Sequence, residues 1–220
     1  MKNYAIILAS GSSSRFGGEL PKQFIEIDGK TILEHSVNAF EINENITDII
    51  VVCNPDYIEL SKEILSNKFS KIRHITTGGK TRQESSYIGV FLVEEDNANV
   101  LIHDGARPFV SQKIINDCIE GLKKFDALGV AIESNDTMIK LDEKGFICEI
   151  PQRASLRRIQ TPQCFKADII KKAHELAKED KSLVVTDDCG MVLHFNLAKI
   201  AVIEGDNENI KITHQSDLQK

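Results

Sequence analysis

The sequence predicts an α/β protein: an open, mostly parallel β-sheet with helices on both faces and a β-hairpin projecting from it. Short unbroken apolar runs rich in β-branched residues alternate with segments of helical apolar spacing, which implies strands covered on both faces. Late in the chain, strict apolar/polar alternation around a glycine breaks that rhythm.

The elements follow in order. Ala5–Leu8 reads as a strand entering a Gly/Ser loop, and Leu33, Val37 and Phe40 give a helix over Ile32–Glu41. Asp48–Cys53 is a fully apolar strand, followed by a helix near Tyr57–Leu65, a short strand at Arg73–Thr76 and a helix at Thr81–Val93. Ala98–His103 is another strand; Ser111 can cap a helix running through Lys124, and Ala127–Ile132 is a further buried strand. Thr137–Ile150 alternates on either side of Asp142–Gly145, the pattern of a hairpin with a glycine turn. An arginine-rich stretch follows, then helices at Ala167–Lys178 and after Thr186, and a strand at Ile200–Glu204. With no repeat and no low-complexity linker, residues 1–220 are expected to form one domain, with the arm inserted at about 136–153.

Composition narrows the class. The net charge of −6 weighs against non-specific nucleic-acid binding, which needs a basic surface, but leaves room for an anionic small ligand in a locally basic pocket. No apolar run approaches the roughly 18 residues of a membrane helix, and Ala5–Ala9 is too short for the apolar core of a signal peptide. The five cysteines are odd in number, scattered and without a Cys-x-x-Cys pair, as expected of free thiols in a cytoplasmic protein.

The chemistry concentrates after the first strand, in Ala9-Ser10-Gly11-Ser12-Ser13-Ser14-Arg15 and Pro21-Lys22-Gln23-Phe24. A loop of small residues there can wrap phosphates with backbone N–H groups, at the end of a Rossmann-like sheet where ligands bind. The spacing fits neither the P-loop nor the dinucleotide fingerprint. By itself the loop could be a plain turn; the flanking cations Arg15 and Lys22 favour a triphosphate.

This start resembles sugar-nucleotide pyrophosphorylases in general. Further motifs narrow it: Gly78-Gly79-Lys80-Thr81-Arg82-Gln83-Glu84-Ser85-Ser86, His103-Asp104-Gly105-Ala106-Arg107-Pro108, Asp136-Thr137, Gln160-Thr161-Pro162-Gln163, Thr186-Asp187-Asp188 and Asn209-Ile210-Lys211-Ile212-Thr213. In that order, from Ala5 to Leu218, the chain is similar to the cytidylyltransferase family that includes methylerythritol-phosphate and ribitol-5-phosphate cytidylyltransferases. The resemblance implies a homodimer in which the hairpin pairs with a second subunit, as against a peripheral flap on a monomer.

Nucleotidyl transfer brings two anions together, so the site must offset their repulsion and align an in-line attack. The resemblance places Arg15 and Lys22 on the triphosphate and Lys211 near its α-phosphate. It assigns the base to Ala9, Ser10, the Gly78-Gly79 turn and Ser85, with Gly11 also on CTP and Gly105 beside the sugar. Arg82 either joins the CTP site or braces the glycine turn. A divalent cation, Mg²⁺, is expected to bridge phosphate oxygens, with Asp104 at a strand's carboxyl end as its carboxylate; a turn or capping role is the alternative. The acceptor falls to Arg107, Thr137, Arg153, Thr161 and Thr186, with Arg153 able to reach the partner's site in an arm-exchanged dimer. Asp187 and Asp188 read as first-turn acids of a helix, and the helix dipole suffices to explain Asp188. The six histidines form no triad, because an ionised phosphate needs no strong base; His103 reads as support for the loop holding Asp104.

The segments Ile150–Arg153, Leu156–Gln160 and Thr186–Gly190 look more like ribitol-phosphate members. They favour ribitol 5-phosphate over 2-C-methyl-D-erythritol 4-phosphate, with CDP-ribitol for cell-surface polymers as product. Such members are fused to or paired with a short-chain reductase; with no room before Lys220, a separate reductase or a shortened chain is expected. Another nucleotidyltransferase, or a catalytically silent nucleotide-binding protein on the same scaffold, are the competing classes. The charge constellation of Arg15, Lys22, Asp104 and Lys211 argues against the silent one.

Overall fold

Strand β1 (Lys2–Ala9) emerges at the middle of the molecule because its residues from Asn3 onward are buried, with alternate side chains serving opposite faces. The structure is a computed structural model and describes residues 1–13, 16–17, 20–180 and 182–219. A tight hairpin follows the first loop: β2 (Glu26–Ile27) and β3 (Lys30–Thr31), joined by Asp28-Gly29, both at positive φ. Helix α1 (Ile32–Glu41) starts on a capping box in which Thr31 Oγ1 accepts from Glu34 N–H and the Glu34 carboxylate accepts from Thr31 N–H. Next come β4 (Asp48–Cys53), α2 (Ile58–Leu65), β5 (Ile72–Thr77), α3 (Arg82–Val90), β6 (Ala98–Asp104), α4 (Gln112–Gly121) and β7 (Ala127–Glu133). The hairpin strands β8 (Lys140–Leu141) and β9 (Ile147–Glu149) precede β10 (Arg157–Lys166), α5 (Ala167–Glu179), α6 (Asp188–His194) and β11 (Ile200–Glu204).

The seven-stranded sheet has the order β11-β7-β10-β6-β1-β4-β5 and is parallel except at β10. Strand alternation builds two cores. Ala5 and Ile7 face Leu33, Val37 and Phe40 of α1 and Ile115 and Cys118 of α4; Tyr4 and Ile6 face Val90 of α3, Ile170 of α5 and Met191 and Val192 of α6. Helices therefore cover both faces, and each fully buried Ile or Phe contributes roughly 1.5–3 kcal/mol by leaving water.

The arginine-rich stretch departs from expectation: it is β10, antiparallel between β6 and β7. Two buried glutamines and Pro162 hide it from an apolar-run criterion. The proline sits where the register with β7 shifts, between Ile159 and Gln163, as prolines in sheets do. The glutamines are satisfied across the fold. Gln163 Nε2 donates to Asp187 Oδ2 at 2.7 Å, and Gln160 Nε2 to the Asp206 carbonyl at 2.7 Å.

The hairpin stands apart from the main sheet, with a paired region shorter than its alternation suggested. Gly145 at φ +85° closes its turn, while Asp142 Oδ1 accepts from Lys144 and Phe146 N–H. All side chains from Asn135 to Ile150 are exposed, including Met138, Ile139, Leu141, Phe146 and Ile147. Among the described residues no helix is long and apolar enough to cross a membrane.

Candidate active site

Strands β4, β1 and β6 lie side by side and parallel, so the loops leaving their carboxyl ends open onto one crevice. It is a cavity of about 600 Å³, a size suited to a small-molecule ligand.

The loop after β1 forms one wall, with Ala9, Ser10 and Gly11 lining the cavity. Buried Gln23 holds it in shape: its Nε2 donates to the Ala9 and Gly11 carbonyls at 3.1 and 3.3 Å, and its Oε1 accepts from Ser13 Oγ at 3.1 Å. These two carbonyls are thereby occupied by the protein. Arg15 lies outside the described residues. Lys22 lines the cavity, and its Nζ donates to the Ile212 carbonyl.

Gly78 and Gly79 close a second side. Ser85 lies beneath them: Ser10 Oγ donates to Ser85 Oγ at 2.7 Å, and Gly79 N–H to the same hydroxyl at 3.2 Å. A Cβ on Gly78 would stand 2.5 Å from Ser10 Cβ, so only glycine lets the two loops approach. Gly105 is closely packed by the protein itself: a Cβ there would meet Ala9 Cβ and the Leu8 carbonyl at 3.1 Å.

Asp104 ends β6 on the floor, surrounded by cations. Lys211 Nζ is 2.7 Å from Oδ2, Arg82 Nε 3.2 Å from Oδ1 and Arg107 Nε 3.9 Å from Oδ2. Burial alone would raise the Asp104 carboxyl, but Arg82, then Lys211 and Arg107, hold it far below the usual carboxylate range. Lys211 arrives because its neighbour Ile212 donates its N–H to the Ala106 carbonyl at 2.9 Å, docking the C-terminal segment on the Asp104 loop.

The remaining predicted residues separate. Thr161 does not line the cavity. Its buried hydroxyl accepts from Asp104 N–H at 3.1 Å and donates to His103 Nδ1 at 3.0 Å, while His103 Nε2–H donates to the Arg107 carbonyl at 3.0 Å. This chain uses neutral His103, and burial lowers its pKa to about 4, so it supports the loop and is no base. Arg107 Nη1 donates to the Asn209 carbonyl at 2.7 Å. Thr186 lines a smaller adjoining cavity of about 180 Å³, which shares Thr81 and Arg82 with the first. Thr137 and Arg153 sit together on the exposed arm, Arg153 Nη2 donating to Thr137 Oγ1 at 3.3 Å, away from the cavity within this chain.

Two readings change. Arg82 does not hydrogen-bond the glycine turn; its guanidinium spans Asp104 and, through Nη1, Asp188 Oδ2 at 2.7 Å. Asp188 is therefore not explained by the helix dipole alone, since it is almost fully buried and Asp187 supplies the cap of α6. Gln23 carries a structural duty in a motif already singled out, whereas the pairing of Asp188 with Arg82 leaves no local sequence signal.

A floor of cations around one carboxylate, facing a loop of small residues, suits transfer between phosphates, and the chain is a nucleotidyltransferase. Residues 4–220 match the family model for 2-C-methyl-D-erythritol 4-phosphate cytidylyltransferase, IspD. A Clostridium perfringens protein of that name is 43% identical over 218 residues, 99% of this chain and 96% of its own. One from Thermobifida fusca is 39% identical over 222 residues, 97% of this chain and 89% of its own. The crystal structure of 4-diphosphocytidyl-2C-methyl-D-erythritol synthase from Anaerococcus prevotii superposes with a TM-score of 0.89 at 32% identity, covering 99% of this chain and 93% of that one. The chain belongs to the 2-C-methyl-D-erythritol 4-phosphate cytidylyltransferase family.

These relatives overturn ribitol 5-phosphate as the favoured acceptor, and the cell-surface product and reductase partner expected with it lose their basis. The reason is visible in the fold. Arg157–Gln160 belongs to β10, and Asp188 and Cys189 N–H donate to Gln163 Oε1 at 3.0 Å each. Arg157–Gln160 and the start of α6 thus serve the scaffold, and of the segments that suggested ribitol only Arg153 and Thr186 remain for an acceptor.

Proposed function

We propose that this chain transfers CMP from CTP to 2-C-methyl-D-erythritol 4-phosphate, releasing pyrophosphate, in non-mevalonate isoprenoid synthesis. The observation that carries the reading is the meeting of Lys22, Lys211 and the Gly/Ser loop around one cavity. An acceptor phosphate oxygen attacks the α-phosphorus in line; the new P–O bond forms as the bond to the β-phosphate oxygen breaks. Pyrophosphate takes that electron pair, and no proton has to move first. Lys22 and Lys211, with Arg15, oppose the charge that accumulates on the phosphates.

The cytosine and sugar are assigned to Ala9, Ser10, Gly11, Gly78, Gly79, Ser85 and Gly105, where backbone and small side chains allow close approach. Arg82 is assigned with them to the CTP side, Arg107 and Thr186 stand on the acceptor side, and Thr161 acts by holding Asp104. Among the described residues no three His, Cys, Asp or Glu side chains group to hold a metal. One carboxylate, Asp104, fits Mg²⁺ carried by the triphosphate, because this ion is commonly held by one or two carboxylates and substrate phosphates. It would supply charge neutralisation at the phosphates.

The chain is read as one domain over 1–220 and as cytoplasmic, on the five free cysteines. The apolar arm supports a homodimer in which Arg153 and Thr137 serve the partner's cavity. The reaction is tested by pyrophosphate release with CTP and 2-C-methyl-D-erythritol 4-phosphate in Mg²⁺, against UTP and GTP. Turnover confined to CTP is expected; silence with this acceptor removes the proposal.

A further inference from the structure

Arg82 opens helix α3, where the positive end of the helix dipole disfavours a cation. Its guanidinium is nevertheless largely withdrawn from water, which requires anionic partners. Asp104 supplies one at the cavity floor. The other comes from the far side, from α6: Asp188 is 1% exposed, and its two oxygens divide their work. Oδ1 accepts from Ser86 Oγ at 2.5 Å and faces His174 Nε2 at 3.5 Å, while Oδ2 holds Arg82 Nη1 at 2.7 Å. Ser86 lies one turn beyond Arg82 on α3, so a single carboxylate grips both the helix and the cation at its start.

We propose that Asp188 is a positioning residue of the active site: it fixes Arg82 against Asp104 and thereby sets the orientation of the charges that meet the triphosphate. The inference rests on the cytidylyl-transfer reading above. Burial alone would raise the Asp188 carboxyl, yet Arg82 and then His174 hold it at about 2, so it remains an anion throughout the working pH range. Removing its charge leaves Arg82 with one fewer counter-ion and only the 3.2 Å bond to Asp104 to direct it. The cavity then becomes more positive, which does not weaken ground-state CTP binding, but the transition state loses its alignment.

The test is Asp188→Asn, assayed by pyrophosphate release and by thermal melting, alone and combined with Arg82→Ala. Expected are a fall in kcat of about 10-fold or more with no rise in KM for CTP, and a further loss below about 2-fold when Arg82 is already alanine. A purely structural role predicts instead a raised KM, or the same cost in both backgrounds, and either result in a folded variant overturns the proposal. If Asp188→Asn does not fold, Arg82→Lys decides: an ammonium keeps the charge but cannot bridge both carboxylates, so unchanged kcat refutes the idea and a fall of about 10-fold supports it. Wild-type enzyme inactive with CTP and the acceptor would refute the reaction itself; active wild type with insensitive variants refutes only the role of Asp188.

Discussion

Lys211 Nζ stands 2.7 Å from Asp104 Oδ2, although 107 residues separate them in the chain. Their meeting places the C-terminal segment at the cavity floor and adds a third cation to Arg82 and Arg107 around one buried carboxylate. Lys211→Ala is expected to lower turnover by about 10²-fold while the melting temperature changes little, because the lysine is half-exposed and its charge is used chiefly on the transition state. Steady-state pyrophosphate release and a thermal melt check this together, and near-normal turnover would remove Lys211 from the phosphate site.

His103 makes stability depend on pH in a definite direction. Its pKa, near 6.5 in the unfolded chain, falls to about 4 on folding because the ring is buried, a cost to the charged form that outweighs the hydrogen bond to the Arg107 carbonyl. Between those values the unfolded state binds the proton and the folded state does not, so stability rises with pH across that window and is lost on acidification. The loss is on the order of 3 kcal/mol. Denaturant titrations from pH 4 to pH 7 should show this slope in the wild type and a flatter one in His103→Gln.

Gln23 should affect nucleotide binding without touching the nucleotide. Gln23→Ala deletes the bonds to Ala9 and Gly11 that orient the loop, and leaves two carbonyls to be satisfied by water. A rise in KM for CTP of roughly 5- to 20-fold is expected, equivalent to about 1–2 kcal/mol of lost hydrogen bonding. Calorimetric CTP affinity equal to wild type would contradict it.

Gly78→Ala places a methyl 2.5 Å from Ser10 Cβ and 2.7 Å from Ser85 Oγ. The loops must separate, at a cost of roughly 1–3 kcal/mol. Weakened CTP binding, with the acceptor KM unchanged, is the expected signature; a larger effect on the acceptor would move Gly78 out of the base site.

The arm predicts an oligomer. Phe146 and Ile147 are 69% and 58% exposed, a costly display of apolar surface for a monomer. Sedimentation should find a dimer for the wild type and a monomer for Phe146→Asp with Ile147→Asp, with activity falling as the arm leaves its partner. A monomeric wild type at micromolar concentration would dismiss the arm as an interface.

Most of the fold was legible because its strands announce themselves. Asp48–Cys53 and Ala127–Ile132 are continuous apolar runs, and Thr31 and Ser111 cap helices through local bonds. Strand β10 was not legible, since Gln160 and Gln163 are polar and buried only because Asp206, Asn209, Asp187 and α6 satisfy them. That Ala9–Gly11 and Lys22 line one cavity could be read, because they lie close together in a single motif. The acceptor's identity could not, because the segments that suggested it belong largely to scaffold.

The sequence alone was enough for the apolar strands, the capped helices, the small-residue loop and the exposed arm, though not for β10. These depend on periodicity, capping and turn chemistry over a few neighbouring residues. That Arg82 joins Asp104 to Asp188, that Lys211 closes the floor and that Thr161 supports it from behind follows from the folded arrangement alone. Those relations pair side chains from different elements across the sheet, where burial removes water and makes each charge depend on its partner. No local pattern encodes such a distance.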